Sequence, residues 1–327
     1  MNSFRTIVET PKYKINISHD SNILMLGSCF TENIGSNLQK LLFKVEINPF
    51  GIIYNPISIK NSLEILIENQ KFTNSDLKFY NERWFTYFHH SRFSNANAED
   101  CLLNINQAIN AGNEVLKKAD ILLITFGTAR VYRLIESGNI VSNCHKQPAS
   151  LFSNELLRVE NIISEYSQLI VSLKKFNPNI NIIFTISPIR HWKDGAHENQ
   201  ISKSTLFLAI YNLTKSFNNI IYFPAYEIFM DDLRDYRFYA EDMLHPNEIG
   251  IKYVWDIFSK AFLSGSTQKI ISEIENLNQA ANHRPFNTKS DKYKTFISNN
   301  IKKITELETS NLDIDFEPLK SQFINLL

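Results

Sequence analysis

The stretch Ile23-Leu24-Met25-Leu26-Gly27-Ser28-Cys29-Phe30 decides the fold of this chain, because it carries an apolar run directly into a Gly-Ser turn. A continuously apolar run of this length predicts a strand that is buried on both faces, as in a parallel sheet. Residues 31–43 then predict a helix, since their apolar residues fall on one face: Ile34, Leu38, Leu41 and Leu42. A serine at such a strand-to-helix turn is where a hydrolase places its nucleophile, so Ser28 is a candidate catalytic residue.

The same alternation of apolar runs and helical segments continues through the chain and predicts an α/β fold with a mostly parallel sheet. Further strands are predicted at residues 45–47, 120–127, 181–186 and 220–223. Further helices are predicted at residues 57–68, 98–118, 154–176 and 199–217, and from Pro246 onward. The aromatic-rich segment at about 72–95 has no clear element pattern and is interpreted as an insertion that packs over the sheet edge.

The C-terminal part of the chain differs in pattern from the rest. Beyond Gly265 the sequence becomes more polar and helical, with one apolar stripe formed by Ile270, Ile271, Ile274 and Leu277. We therefore expect residues 1–265 to form the α/β domain, with its insertion, and residues 266–327 to form a helical extension.

Composition and charge argue against several kinds of partner. The 327 residues are 43% hydrophobic and 21% charged, which is enough apolar material for a large buried core. The chain has 34 basic and 34 acidic residues, a net charge of +0, and no block of like charge. We therefore expect no nucleic acid partner. No segment reaches the roughly 18 apolar residues of a spanning helix, so no membrane insertion is expected.

Cysteine usage and the first residues favour a cytoplasmic location. The three scattered cysteines argue against a disulfide framework and suit a reducing compartment: Cys29, Cys101 and Cys144. Residues 1–6 lack the basic region and the apolar run of a secretory leader.

A second candidate group lies late in the chain, in Asp242-Met243-Leu244-His245. The carboxyl ends of parallel strands meet at one edge of a sheet, so this loop can reach the loops after Ser28, Gly127 and Ser187. A serine hydroxyl needs a histidine to take its proton, and that histidine needs a carboxylate to fix its tautomer. An Asp-x-x-His pattern also occurs where an acid caps a helix beside an incidental histidine, but the Gly-Ser turn favours catalysis.

These residues resemble, in order, the blocks of the GSCFA domain family, a branch of the SGNH/GDSL hydrolase superfamily. The resemblance covers roughly residues 20 to 260, and its specificity lies in the set and its order. The blocks are Gly27-Ser28-Cys29-Phe30, Asn48-Pro49-Phe50-Gly51, Thr125-Phe126-Gly127-Thr128, Asn143-Cys144-His145-Lys146, Ser187-Pro188-Ile189-Arg190-His191 and Tyr239-Ala240-Glu241-Asp242-Met243-Leu244-His245-Pro246.

The resemblance implies a flavodoxin-like three-layer α/β/α fold and a hydrolase of esters, commonly of an acyl group on a sugar or small alcohol. Ser28 becomes the nucleophile, His245 the general base and Asp242 the acid that orients it. No cofactor and no metal are implied.

The resemblance also implies an oxyanion hole built from the backbone N–H groups of Ser28 and Gly51. The wider superfamily adds the asparagine of a Gly-x-Asn-Asp block, and this chain departs there because Gly127 is followed by Thr128, Ala129 and Arg130. Either the Thr128 hydroxyl or Asn143 from the following loop could take that place. The loss of one oxyanion donor costs on the order of 10²- to 10³-fold in rate, so this departure bears directly on activity.

Other side chains have weaker indications. Cys29 fits a buried small residue better than a thiol nucleophile. No His-x-x-x-His or Glu-x-x-His spacing joins the histidines, so hydrogen-bonded loop histidines are favoured over metal ligands. Candidate substrate contacts are Gly127, Arg130, His145, Arg190 and His191.

Three functions compete at this point. The first is a serine esterase, for instance an O-deacetylase that acts on a glycan or a small metabolite. The second is a carbohydrate- or metabolite-binding module that keeps the scaffold without turnover, and the third is phosphate-ester chemistry at the helix N-terminus after Ser28. The sequence does not decide whether the chain forms a homodimer. The aromatic insertion or the apolar stripe of the C-terminal helices could form the interface, but both can equally pack within one chain.

Overall fold

The computed structural model describes residues 6–283 and 285–326. Residues 1–5, which contribute to the expectation of a cytoplasmic protein, lie outside the described ranges. The strands, in chain order, are β1 (Asn22–Gly27), β2 (Lys44–Ile47), β3 (Lys78–Tyr80), β4 (Arg83–Phe85), β5 (Ile121–Phe126), β6 (Arg130–Leu134), β7 (Ile140–Val141), β8 (Phe152–Leu156), β9 (Asn181–Ile186) and β10 (Ile220–Phe223).

Five of these strands form one parallel sheet in the order β2-β1-β5-β9-β10. If the five are numbered along the chain, the order reads 2-1-3-4-5, which is the flavodoxin-like order and agrees with the fold class that the resemblance implies. The order reverses between β1 and β5, and in open α/β sheets ligands bind in the crevice beyond the strand ends at such a reversal. Ser28 follows β1 and Gly127 follows β5, so both lie at this point.

Helices cover both faces of the sheet, because side chains along each strand alternate between two cores. On β1, Leu24 and Leu26 belong to one core, and Ile23 and Met25 belong to the other. The helices are α1 (Cys29–Lys40), α2 (Pro56–Glu68), α3 (Ala98–Lys118), α4 (Val159–Phe176), α5 (Ala196–Ser216), α6 (Ala225–Glu227), α7 (Glu248–Phe262), α8 (Gly265–Ala281), α9 (Asp291–Ser310) and α10 (Glu317–Ile324).

Several predicted helix starts differ from the structure: the helix expected from residue 31 begins at Cys29, and the helix expected from residue 199 begins at Ala196. The helix expected from residue 154 begins at Val159, because Phe152–Leu156 pairs antiparallel with β6 as strand β8. The helix expected from Pro246 begins at Glu248, because the Asn247 side chain caps it by accepting a hydrogen bond from the Gly250 N–H at 3.1 Å.

The aromatic insertion contains the β3–β4 hairpin and contacts the loop that follows the edge strand β2. The His90 N–H donates to the Phe50 carbonyl at 2.8 Å. The Arg92 guanidinium bonds the Asn48 carbonyl and lies 3.3 Å from Glu32 on α1. The insertion therefore braces the loop that carries Gly51.

The C-terminal helices complete the core on the α1 side of the sheet. Ile271, Ile274 and Leu277 of α8 are buried as the stripe predicts, whereas Ile270 is only partly buried. Phe316 and Phe323 are fully buried in the same core as Leu38 of α1. In the described ranges, no helix has the length and apolar character needed to cross a membrane.

Candidate active site at the strand ends

Ser28 follows Gly27, a position in the turn that only glycine can occupy without strain. Gly27 has φ +145°, and a Cβ at this position would lie 2.3 Å from the Thr125 carbonyl oxygen on β5. Ser28 then caps α1, with its Oγ accepting a hydrogen bond from the Phe30 N–H at 3.3 Å. The residue is only 1% exposed, so its hydroxyl is buried at the end of β1.

Cys29 stays a thiol. Burial raises the pKa of its side chain, and the nearby N–H groups of Cys29 and Phe30 offset this only in part. A thiol with a raised pKa is a poor nucleophile at neutral pH, which leaves Ser28 as the candidate in this turn.

The loop of Gly51 is fastened to the end of β1 by Asn48. The Asn48 side chain accepts a hydrogen bond from the Gly27 N–H at 2.8 Å, and its carbonyl accepts one from the Gly51 N–H at 2.7 Å. Gly51 has φ +78°, and a Cβ there would lie 2.3 Å from the Cβ of His90. The Gly51 N–H, which the resemblance assigns to the oxyanion hole, is thus engaged within its own turn.

Thr128 is likewise engaged away from the serine. Its hydroxyl lies 2.9 Å from the Ser202 hydroxyl on α5 and accepts a hydrogen bond from the Arg130 N–H at 3.1 Å. The N–H groups of Gly127 and Thr128 both donate to the Tyr54 carbonyl, at 2.7 Å and 3.1 Å. This loop therefore turns its polar groups toward α5 and Tyr54.

The candidate substrate contacts Arg130 and His145 and the candidate oxyanion donor Asn143 fall into separate places. Arg130 pairs with Glu198 on α5 and donates to Asn154 Oδ1 at 2.7 Å, so its charge is already used. Asn143 accepts from the His145 N–H at 2.8 Å. The His145 ring stacks on Phe85 with centroids 4.1 Å apart, and burial lowers its pKa to about 4. Asn143 and His145 thus contact the aromatic insertion.

Asp242 and His245 form a hydrogen-bonded pair. His245 Nδ1 lies 2.5 Å from Asp242 Oδ2, and Asp242 Oδ1 accepts from the N–H groups of Leu244 and His245 at 2.9 Å. These backbone bonds, followed by the imidazole, lower the pKa of Asp242 to about 2, so it is a carboxylate at neutral pH. Met243, with φ +58°, makes the tight turn that brings the two side chains together.

The serine and the histidine are not hydrogen-bonded to each other in the described structure. Lys203 lies near the Cys29 thiol, and both Lys203 and His245 help to lower the pKa of His191. Catalytic hydrogen bonds are often long or misaligned in a free enzyme and tighten when substrate binds.

Lys203 is a residue that the sequence analysis missed. It is fully buried on α5, and its Nζ donates to the carbonyls of Gly127 and Ser187, both at 2.7 Å. These carbonyls follow β5 and β9, so one side chain ties two strand ends together. The sequence does contain a pattern that predicts the burial of this residue. Lys203 lies three and seven residues before Leu206 and Ile210, which places it on the apolar face of α5.

Burial lowers the pKa of Lys203 from 10.5 to about 7. Between these values the unfolded chain keeps the proton and the folded chain releases it, and the neutral amine still has two N–H groups for its two carbonyls. Lys203 therefore makes the free energy of unfolding rise with pH above 7, by up to about 1.4 kcal/mol per pH unit.

We expect Lys203→Met to remove this pH dependence. Urea unfolding of the parent and the variant at pH 6 to 9 measures it as the difference between their unfolding free energies. The exposed Lys215→Met on the same helix is the matched control. A difference that stays constant from pH 7 to 9 would show that Lys203 keeps an ordinary pKa.

No group of three or more His, Cys, Asp or Glu side chains within residues 6–283 and 285–326 is arranged to hold a metal ion.

The fold and this strand-end site define an α/β protein of the flavodoxin-like class with a Ser and an Asp-His pair. The chain belongs to the GSCFA family, whose sequence model matches residues 22–258. A second model, described as the C-terminal domain of GSCFA domain proteins, matches residues 274–327. A search of curated proteins found no match.

Two solved structures to which the chain is distantly similar are described as carbohydrate esterases of family 3. The protein from Clostridium thermocellum is 14% identical, with a TM-score of 0.33 over 76% of this chain and 96% of the other. The protein from Talaromyces cellulolyticus is 10% identical, with a TM-score of 0.36 over 78% of this chain and 99% of the other. At these identities and scores, the likenesses carry no argument about function.

Proposed function

We propose that this chain is a serine ester hydrolase in which Ser28 is the nucleophile, His245 the general base and Asp242 the residue that orients it. The observation that carries the proposal is the 2.5 Å contact between His245 Nδ1 and the ionised Asp242. This contact places the proton of the ring on Nδ1 and leaves Nε2 free to accept one. Ser28, at the reversal of the sheet order, is the nucleophile that such a base requires.

The reaction follows from these roles. Ser28 Oγ attacks the ester carbonyl while His245 Nε2 takes the hydroxyl proton, and Asp242 stabilises the imidazolium that forms. The tetrahedral intermediate collapses, the alcohol leaves with the proton from His245, and an acyl-serine remains. Water then attacks the acyl-serine, with His245 again taking the proton, to release the acid and restore Ser28.

We propose a small acyl group, such as acetate on a glycan or a small metabolite, as the substrate class. Ser28 is only 1% exposed, so little room is open beside its hydroxyl, which favours a short acyl chain. The proposed oxyanion donors are the N–H of Ser28 and that of Gly51, and the latter must first leave or share its bond to Asn48.

Fluorophosphonate labelling of Ser28 and hydrolysis of p-nitrophenyl acetate test this function. We expect the parent to be labelled and active, and Ser28→Ala to show neither property. Ser28 is also a helix cap, and the loss of such a cap costs about 0.5–2 kcal/mol. Ser290→Ala is therefore the matched control, because Ser290 caps α9 through the Tyr293 N–H at 3.2 Å. A parent that is neither labelled nor active would overturn the proposal.

A binding module without turnover is the second candidate function. It is favoured by one observation: the Gly51 N–H is bonded to the Asn48 carbonyl in its own turn, and the Thr128 hydroxyl is bonded to Ser202 on α5. On this alternative, the parent and Ser28→Ala bind a sugar ester or metabolite equally well, and neither consumes it.

A further inference from the structure

His191 lies against Gly127 at the reversal of the sheet order. A Cβ on Gly127 would be 3.1 Å from His191 Nε2 and 3.2 Å from the Cβ of Tyr54. The imidazole meets the Tyr54 ring edge-on, with centroids 5.3 Å apart. The space left by the absent side chain of Gly127 is thus filled by the His191 ring, beside the loop where the superfamily carries its third oxyanion donor.

The position of His191 is fixed through its backbone, which leaves its ring available. Its backbone N–H donates to Asn199 Oδ1 on α5 at 2.9 Å. Neither ring nitrogen has a hydrogen-bond partner among residues 6–283 and 285–326. The residue is half-buried, so part of its side chain is open to a ligand.

The surroundings of His191 keep its ring neutral. Burial is the largest cause, and the charges of Lys203 on α5 and His245 on the facing loop add to it, so the pKa falls to about 4. Tyr54, which packs against the ring from the loop before α2, has a pKa raised by burial and stays neutral as well. At neutral pH the imidazole therefore carries one N–H donor and no charge.

We propose that His191 donates a hydrogen bond to the carbonyl oxygen of the substrate and to the oxyanion that forms from it. It would take the place that Thr128 leaves empty because the Thr128 hydroxyl is bound to Ser202. A neutral imidazole can polarise a carbonyl in this way without giving up its proton. This inference rests on the proposed esterase function where it concerns the rate of hydrolysis. The hydrogen bond to the ligand can be tested separately, by binding.

The kinetic test compares His191→Phe with His191→Gln. We expect His191→Phe to lower kcat by about 10²- to 10³-fold with little change in KM, because the donor acts mainly on the transition state. His191→Gln keeps an N–H donor and should retain more activity than His191→Phe. The exposed His197→Gln, on the adjoining helix, should leave kcat unchanged. Equal kcat values for the parent and His191→Phe would overturn the proposal while leaving the esterase function intact.

The binding test uses acetate, the product of deacetylation, and follows the imidazole signals of His191 by NMR. We expect acetate to shift these signals in the parent and in Ser28→Ala alike, since the donor is independent of the serine. If the parent is inactive but acetate shifts His191, the esterase function fails and the donor site stands. If acetate leaves the His191 signals unchanged, the donor site is disproved whatever the activity.

Discussion

Asp242→Asn is expected to lower kcat/KM for ester hydrolysis by about 10³- to 10⁴-fold, because the amide stabilises the wrong tautomer of His245. In the parent, Asp242 Oδ2 accepts from His245 Nδ1, so Nε2 is free to take a proton. An amide can instead donate its own N–H to Nδ1, and the ring then keeps its proton on Nε2. Asp242 Oδ1 still accepts from two backbone N–H groups, and Asn can preserve these bonds.

Steady-state hydrolysis of p-nitrophenyl acetate measures the effect, together with a thermal melt of each variant. Glu241→Gln is the matched control, since it removes the same charge from the neighbouring exposed position. If Asp242→Asn and Glu241→Gln lower the rate equally, the effect is one of overall charge and the orienting role of Asp242 is wrong.

Gly27→Ala is expected to destabilise the fold by about 4 kcal/mol or more, through steric overlap and backbone strain. A Cβ at position 27 would lie 2.3 Å from the Thr125 carbonyl oxygen and 2.9 Å from the Thr125 Cβ. Both atoms belong to the central strand β5 and cannot move without breaking the sheet. The φ of +145° adds strain for any residue with a side chain.

Urea denaturation of the two proteins measures this loss. Gly138→Ala separates the causes, because Gly138 has φ +72° in open space, with no atom within 4 Å of its would-be Cβ. That control should cost about 1 kcal/mol from the backbone alone. Similar losses in both variants would mean that the β1–β5 contact relaxes and that Gly27 is needed only for its φ.

The inner strands β1, β5 and β9 of the central sheet could be predicted because each is a short, mostly apolar run that is buried on both faces, whereas the edge strand β2 is only partly buried. Residues 181–186 and 220–223 were predicted with the bounds that the structure shows. Strand β8 was not predicted, because its strand conformation depends on a partner: Phe152–Leu156 pairs antiparallel with Arg130–Leu134. Pairing between distant segments is not visible in a local pattern.

The candidate site was only partly predictable. Asp242 and His245 are three residues apart, so their contact is local and the motif was sufficient to predict it. The partners of the Gly51 N–H and of the Thr128 hydroxyl depend on how the loops fold back, and Ser202 is far from Thr128 in sequence. Lys203 and His191 both contact Gly127, the residue that follows β5. These contacts form only when the sheet is assembled, so the sequence pattern does not reveal them.

The shared core of α1 and the C-terminal helices has a consequence for cooperativity. The helix that Ser28 caps buries Ile34 and Leu38 against the same core as Ile274 and Phe323. The two segments that separate family models describe thus share one hydrophobic core. We therefore expect a destabilising change in the tail helices to loosen α1, and with it the turn that holds the serine.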